Sequence, residues 1–316
     1  MNAADDISRL EGRIALVTGG ARGIGFAIAK DLAVRGAKVV IADNGVAIDG
    51  TSPDPTIAEE AAAGIGAVAY PAGVRSPGDA RGAVALAEAR FGGIDIIVNN
   101  AAILRDAFIF KSEPEDWDRV IETNLSAAYY VLAAASPVMR AQAKAKRGGD
   151  RYDWGRIVNI TSSAGLYGNL GQSPYASAKA GLVGLTRVAA MDLARSGITV
   201  NALAPFAHTR VTEIIQPANE AQAAYKERAL RIEPAHVAAV VAWLCSNAAQ
   251  GISGQLFGVR GREVFLFSQP RPVRRLVNER EDWDVAALAR AAEEKFAAAY
   301  VDLTSDLEAF NTEPVV

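Results

Sequence analysis

The sequence predicts an α/β fold: a doubly wound parallel sheet of about seven strands, in one domain with a C-terminal extension. Three observations predict it. Short apolar runs alternate with helical patterns from residue 14 to residue 259, the order that builds a parallel sheet through right-handed crossovers. The runs are continuously apolar rather than alternating, as strands covered on both faces are. A chain of 316 residues is long for one ordinary domain and short for two, so one domain plus an extension fits best. No internal repeat is visible.

Residues 14–17, Ile-Ala-Leu-Val, read as the first buried strand. Residues 18–25, TGGARGIG, make a glycine-rich turn into a helix that Gly36 stops. Residues 38–42, KVVIA, form the second strand and end at Asp43. A Gly/Pro/Asp-rich loop over 44–56 is longer than most α/β connections. A helix, a short strand near 67–70 and a helix near 79–91 follow. The fourth strand, 94–98, ends at Asn99-Asn100-Ala101-Ala102. A long helix runs from Glu113–Pro114 to about Lys144, and a basic, glycine-containing break covers 146–154. Residues 156–160 and 199–203 are the fifth and sixth strands, flanking a helix over 173–195. A helix over 234–246 and a seventh strand over 254–259 complete the domain. The catalytic domain is expected over 1–267. The extension over 268–316 opens with Gln269-Pro270-Arg271-Pro272 and carries one Ala-rich amphipathic helix near 284–300, as a lid or a subunit contact.

Composition excludes several classes. A net charge of −3 offers no attraction to nucleic acid or to a membrane surface. Cys245 is the single cysteine, so no intrachain disulfide forms. The first residues, MNAADDISRLEGR, lack the apolar stretch of a signal peptide, and no run is long enough to cross a bilayer. A cytoplasmic protein is expected. His208 and His236 are far apart, and no His/Cys cluster suggests a metal.

A dinucleotide needs a tight strand-to-helix turn whose backbone N–H groups reach its pyrophosphate. Gly19, Gly23 and Gly25 occupy such a turn, with Arg22 and Ile24 between them. The spacing is G-x-x-x-G-x-G. By itself it also describes a plain turn, but here it follows the first strand and opens a helix. That context makes a Rossmann-type cofactor site the reading. Asp43, followed by Asn44, ends the second strand, where a carboxylate can accept both adenosine ribose hydroxyls and repel a 2′-phosphate. NAD is therefore favoured over NADP. Arg22 is a counter-signal, since a cation there would tolerate the extra phosphate; Asp43 can also be read as a loop acid.

Tyr175 and Lys179 are four apart in a helical stretch and share a face. An ammonium beside a phenol stabilises the phenolate and brings its pKa toward working pH. The tyrosine would then serve as general base for alcohol oxidation, or as acid for ketone reduction. Alone, the pair is as consistent with two exposed helix residues. Ser162, thirteen residues earlier at the end of the fifth strand, raises the reading, because ligands bind at the carboxyl ends of parallel strands. It would hold the substrate oxygen against Tyr175. Ser163 is adjacent and is the alternative hydroxyl. Asn124 sits inside the long helix, where asparagine is unfavourable. It would hold a water that relays protons from Lys179, or lie on the surface.

Together, TGGARGIG, NNAA at 99–102, Asn124, Ser162 and Tyr175-Ala-Ser-Ala-Lys179 resemble the short-chain dehydrogenase/reductase family over residues 10–262. The resemblance implies a seven-stranded sheet in the order 3-2-1-4-5-6-7, a homodimer or homotetramer, and a catalytic tetrad of Asn124, Ser162, Tyr175 and Lys179. It extends the cofactor site to Val74, Asn100, Ala101, Ala102 and Pro205, and gives Lys179 the nicotinamide ribose and Thr209 the carboxamide. Ala102 replaces the usual glycine of NNAG. Gly73 replaces a usual aspartate, so its bond to the adenine is expected to be missing. Phe206 replaces a glycine after Pro205 and would narrow the substrate entrance. Three segments, beginning at Ala102, Ser162 and Val240, are similar to the (3R)-hydroxyacyl-CoA dehydrogenase unit of the peroxisomal multifunctional enzyme and to bacterial hydroxyacyl-CoA and 17β-hydroxysteroid dehydrogenases.

The expectation is an NAD-dependent oxidoreductase that interconverts a secondary alcohol and a ketone, with a 3-hydroxyacyl-CoA as substrate. A hydroxysteroid or other cyclic alcohol is the alternative substrate. A non-catalytic NAD-binding protein is the alternative of another class. Arg271, Arg274 and Arg275 would suit a CoA ester if the extension folds over the site, and are otherwise a solvated basic stretch.

Overall fold

The computed structural model describes residues 7–149, 152–207, 220–279 and 282–316. Its strands are β1 (Ile14–Thr18), β2 (Lys38–Ala42), β3 (Val68–Tyr70), β4 (Ile96–Asn99), β5 (Arg156–Ile160), β6 (Thr199–Phe206), β7 (Leu256–Arg260) and β8 (Glu263–Leu266). They form one sheet in the order β3-β2-β1-β4-β5-β6-β7-β8. The first seven run parallel in the expected order. The eighth strand was not expected. It folds back antiparallel on β7 through Gly261, whose φ of +59° suits glycine. Four residues with every second one exposed give little sequence signal.

The helices are α1 (Gly23–Val34), α2 (Thr56–Gly64), α3 (Pro77–Phe91), α4 (Pro114–Ile121), α5 (Ala127–Lys144), α6 (Ala164–Tyr167), α7 (Ser173–Leu193), α8 (Glu220–Leu230), α9 (Pro234–Cys245), α10 (Val285–Phe296) and α11 (Asp306–Ala309). Strand alternation sorts the core into two layers. Ala15 and Val17 of β1 face one way, with Ile28 and Leu32 of α1 and Val237 and Val241 of α9. Ile14 and Leu16 face the other way, with Val84 of α3 and Val131 and Met139 of α5. Both faces of β1 are therefore dry, which is why its sequence reads as an unbroken apolar run. Ser76 caps α3 by accepting from the Asp79 N–H at 3.1 Å, and Gly92 ends it at φ +85°.

The single long helix expected over 113–144 is two helices, α4 and α5, joined by a π-helical turn over Glu122–Ser126. The extension also divides. Residues 268–304 form a separate compact unit that carries α10, whereas Ser305–Val316 belongs to the first unit with residues 1–267. The physical reason is a set of specific bonds. Arg260 of β7 donates to the Phe310 and Thr312 carbonyls, and Gly261 pairs with Val315 in a parallel bridge.

Candidate active site

The carboxyl ends of β1, β4, β5 and β6 bring the expected residues together. After β1, Gly19 adopts φ +61°, and a Cβ there would stand 2.8 Å from the Ala101 Cα. A Cβ on Gly25 would overlap the Gly19 carbonyl oxygen. The turn after β4 is tied to this one. Asn100 Nδ2 donates to the Thr18 and Gly19 carbonyls at 3.1 and 3.0 Å. The Asn100 and Ala101 N–H groups both donate to Thr18 Oγ1. Thr18 was not singled out from the sequence; its hydroxyl, next to Gly19, is what locks the two turns.

Asp43, at the end of β2, accepts from the Ala21 N–H at 3.0 Å and from the Gly45 N–H at 2.8 Å. It fastens the long loop to the glycine turn. Arg22 donates to the Val46 carbonyl at 2.6 Å. Ile24 packs against the core, Val74 is buried, and Ala102 is exposed. The Asn44 amide lies where a Cβ on Gly73 would approach it to 3.1 Å. Pro205 and Phe206 end β6. Thr209 lies outside the described residues. Arg22, the residue before α1, makes no side-chain cap hydrogen bond to the helix N-terminus. The first N–H groups of α1 and the side-chain-free glycine cradle fit the pyrophosphate of a dinucleotide.

Beyond β5, Thr161 Oγ1 donates to the Lys179 carbonyl at 2.6 Å, which pins α7 to the strand end. Lys179 Nζ donates to the Ile160 carbonyl at 2.8 Å and lies 5.7 Å from the centre of the Tyr175 ring. Of the two candidate serines, Ser162 is the one within hydrogen-bonding reach of the Tyr175 hydroxyl. Ser163 instead donates to Asp306 Oδ2 at 2.8 Å. Asn124 is buried in the π turn. Its Oδ1 accepts from the Ile103 N–H at 2.8 Å, and its Nδ2 donates to the Ile103 carbonyl at 2.9 Å. The amide is thus occupied in holding the β4–α4 loop, and is neither at the surface nor bonded to Lys179.

The electrostatics differ from the simple expectation. Burial pushes the Tyr175 phenol up to about 12, helped by the carboxylates of Asp306 and Asp106 and opposed by Ser162. Burial also brings the Lys179 ammonium down to about 7. A dry site disfavours both charged forms, so the ammonium does not by itself depress the phenol.

A family model described as enoyl-(acyl carrier protein) reductase matches residues 19–261. The chain belongs to the short-chain dehydrogenase/reductase family. A hydroxyacyl-CoA dehydrogenase of Mycobacterium tuberculosis is 38% identical over 91% of this chain and 90% of its own length. A 3-oxoacyl-[acyl-carrier-protein] reductase of Escherichia coli is 40% identical over 79% of this chain and 97% of its own. The solved short-chain dehydrogenase of Mycobacterium avium superposes with a TM-score of 0.73 at 34% identity, covering 90% of this chain and 94% of the other. As a short-chain dehydrogenase/reductase, the protein is an oxidoreductase that uses a nicotinamide cofactor and interconverts secondary alcohols and ketones. No helix among the described residues is long and apolar enough to cross a membrane.

Proposed function

We propose that this short-chain dehydrogenase/reductase interconverts a 3-hydroxyacyl-CoA and its 3-oxo form with NAD. The observation that carries the reading is the cluster of Ser162, Tyr175 and Lys179 at the carboxyl end of β5, on the sheet edge that also bears the glycine cradle. The names of the mycobacterial and Escherichia coli relatives support an acyl thioester. Asp43 supports NAD, because its carboxylate ends β2 where a 2′-phosphate would meet it.

A bound oxidised nicotinamide would supply the hydride acceptor and a positive charge that favours the phenolate. The protein supplies the remainder. Gly19, Gly23 and Gly25, with the α1 N-terminus, would hold the pyrophosphate. Arg22, Ile24, Asn44 and Val74 would line the adenosine half beside Asp43. Asn100, Ala101, Ala102, Pro205 and Thr209 would line the nicotinamide half, and Lys179 would bond its ribose. Ser162 orients the substrate oxygen toward Tyr175. In oxidation, Tyr175 takes the hydroxyl proton as the C–H bond gives up its hydride; in reduction it returns that proton to the carbonyl oxygen. Lys179 titrates near neutrality, so it can exchange a proton in the range where the enzyme works. Asn124 holds the loop that follows β4 in place.

The test is a panel of 3-hydroxyacyl-CoA esters, hydroxysteroids and small cyclic alcohols, assayed for NADH formation with NADP⁺ in parallel. Thioester turnover with NAD⁺ is expected, and Tyr175→Phe should lower kcat by roughly 10²–10⁴-fold while cofactor still binds. Turnover of steroids alone would replace the substrate, and an NADP⁺ preference would overturn the role of Asp43. Unchanged turnover in Tyr175→Phe would overturn the tyrosine mechanism.

A further inference from the structure

The mechanism uses Ser162 and leaves its buried neighbour unexplained. Ser163 is 4% exposed, and its hydroxyl is given to Asp306, a residue 143 positions later that is itself 6% exposed. A carboxylate taken this far from water is costly unless a local requirement holds it there. The second oxygen, Asp306 Oδ1, is buried with no hydrogen-bond partner among the described residues. Burial pushes the Asp306 carboxyl up, and the Ser163 hydroxyl opposes that shift.

The last twelve residues are built to deliver this group. Ser305 and Glu308 form a reciprocal capping box around the first turn of α11. The Asp306 N–H reaches the Gly168 carbonyl, which ends the turn that begins at Ser162. Phe310 packs at a 51° tilt against Phe206 with ring centres 4.5 Å apart and meets Tyr167 edge-on at 5.6 Å. Arg260 is held by Glu263 and gives its remaining donors to Phe310 and Thr312. Arg228 and Arg231, at and just beyond the end of α8, bond Asn311 and Glu313. So the segment touches the serine turn, the residue after Pro205 and the β7 edge together.

We propose that Asp306 is a positioning residue of the active site: carried in by the chain's own C-terminal segment, it fixes Ser163 and so the turn that presents Ser162 to Tyr175. The inference rests on the reading of Tyr175 as the proton-transfer group and adds a residue to that machinery. Its charge also bears on Tyr175, whose phenol it raises together with Asp106. Tyr225 of α8 feels the charges of both Asp306 and Arg260 of β7, and Lys179 of α7 lies over the Tyr175 ring. Tyr225 stays protonated, because burial and Asp306 both raise it.

Three substitutions separate the parts of the proposal. Asp306→Asn keeps the shape and an acceptor for Ser163 but removes the charge. Asp306→Ala removes both, and Ser163→Ala removes the donor while keeping the charge. Tyr175 is titrated by phenolate absorbance, as a difference against the matching Tyr175→Phe protein, which needs no substrate. In Asp306→Asn the phenolate should form at a pH lower by roughly half a unit or more. The alkaline rise in oxidation should move the same way. Asp306→Ala and Ser163→Ala should lower kcat about tenfold, the low end for displacing a catalytic group, with the NADH dissociation constant unchanged. If neither the phenolate titration nor the pH profile moves in Asp306→Asn, and Asp306→Ala keeps wild-type kcat, the proposal is overturned. Should Asp306→Ala fail to fold, kcat of Ser163→Ala, which loses the same bond, decides it, and a wild-type value would overturn the positioning role. If the wild type turns over no thioester, the substrate reading fails by itself, and the Ser163→Ala comparison is read on whichever alcohol of the panel it does oxidise.

Discussion

At the scale of the residue, the site is a contest between burial and charge. Tyr175 at about 12 and Lys179 at about 7 are both displaced toward their neutral forms. A neutral phenol is ready to donate, so ketone reduction should hold its rate from mildly acid to mildly alkaline pH. Oxidation needs the phenolate, so its kcat/KM should climb with pH and show no plateau below neutrality. Initial rates measured in both directions across pH check this, and an oxidation optimum in acid would contradict it. The lysine makes a separate prediction about stability. Burial brings it down to about 7 in the folded chain, below the ordinary lysine value of 10.5, so between those values the unfolded chain binds more protons. Stability from this group therefore rises as pH rises through that window. Thermal midpoints of wild type and Lys179→Met should diverge in favour of the wild type from pH 7 toward 10; parallel curves would mean that the lysine is not desolvated. The Tyr175–Lys179 pair was legible because a helix repeats a face every four residues. The direction of the shifts was not, since spacing says nothing of how much water reaches a side chain.

At the scale of the element, a few buried polar groups decide where chain segments stop and turn. The glycine turn was legible in the sequence because a Cβ at Gly19 or Gly25 has no room, and that restriction leaves a visible residue choice. The ladder of Asn99 to Asn159 to Thr186, which joins β4, β5 and α7 at 2.8 and 2.9 Å, left no comparable mark. Nor did the π turn, because apolar periodicity continues on both sides of it. Asn124 stands out in the sequence as an unfavourable residue inside a helix, and the family resemblance places it in the catalytic tetrad. The structure supplies its reason: both of its amide groups close on the Ile103 backbone. Asn124→Ala orphans a buried N–H and a buried carbonyl, each costing about 1–3 kcal/mol. A lower denaturation midpoint is expected, together with weakened cofactor binding, since the loop from Asn100 to Ile103 loses its anchor. A variant that loses activity at full stability would point instead to a direct part in proton transfer.

At the scale of the whole molecule, the sheet order was legible and the course of the C-terminus was not. Repeated strand–helix alternation reports the parallel sheet, whereas Asp306, Phe310 and Val315 meet partners that no motif links to them. Their return to the first unit changes what the extension can be. The closing segment sits with the catalytic domain, and the unit over 268–304 is an excursion that leaves after Phe267 and ends before Ser305. That unit carries α10, capped by Asp284, and exposes Val285, Val301 and Leu303 almost fully. Apolar side chains left in water on a short arm suit burial against another surface. The family resemblance implies a homo-oligomer, which makes a subunit contact one expected role for this unit and a lid the other. The rings of Phe267 and Phe310 are 6.5 Å apart and Ser305 lies five residues before Phe310, so a flexible linker of about ten residues, at about 3.3 Å per residue, spans the ends with slack. Replacing 268–304 with such a linker should leave turnover and thermal midpoint near wild type, because Asp306 and Phe310 stay in place, and should lower the number of subunits in the solution assembly. An unchanged subunit number with equal turnover would remove the unit from the assembly. Lost turnover at an unchanged subunit number would make it a lid over the substrate site instead.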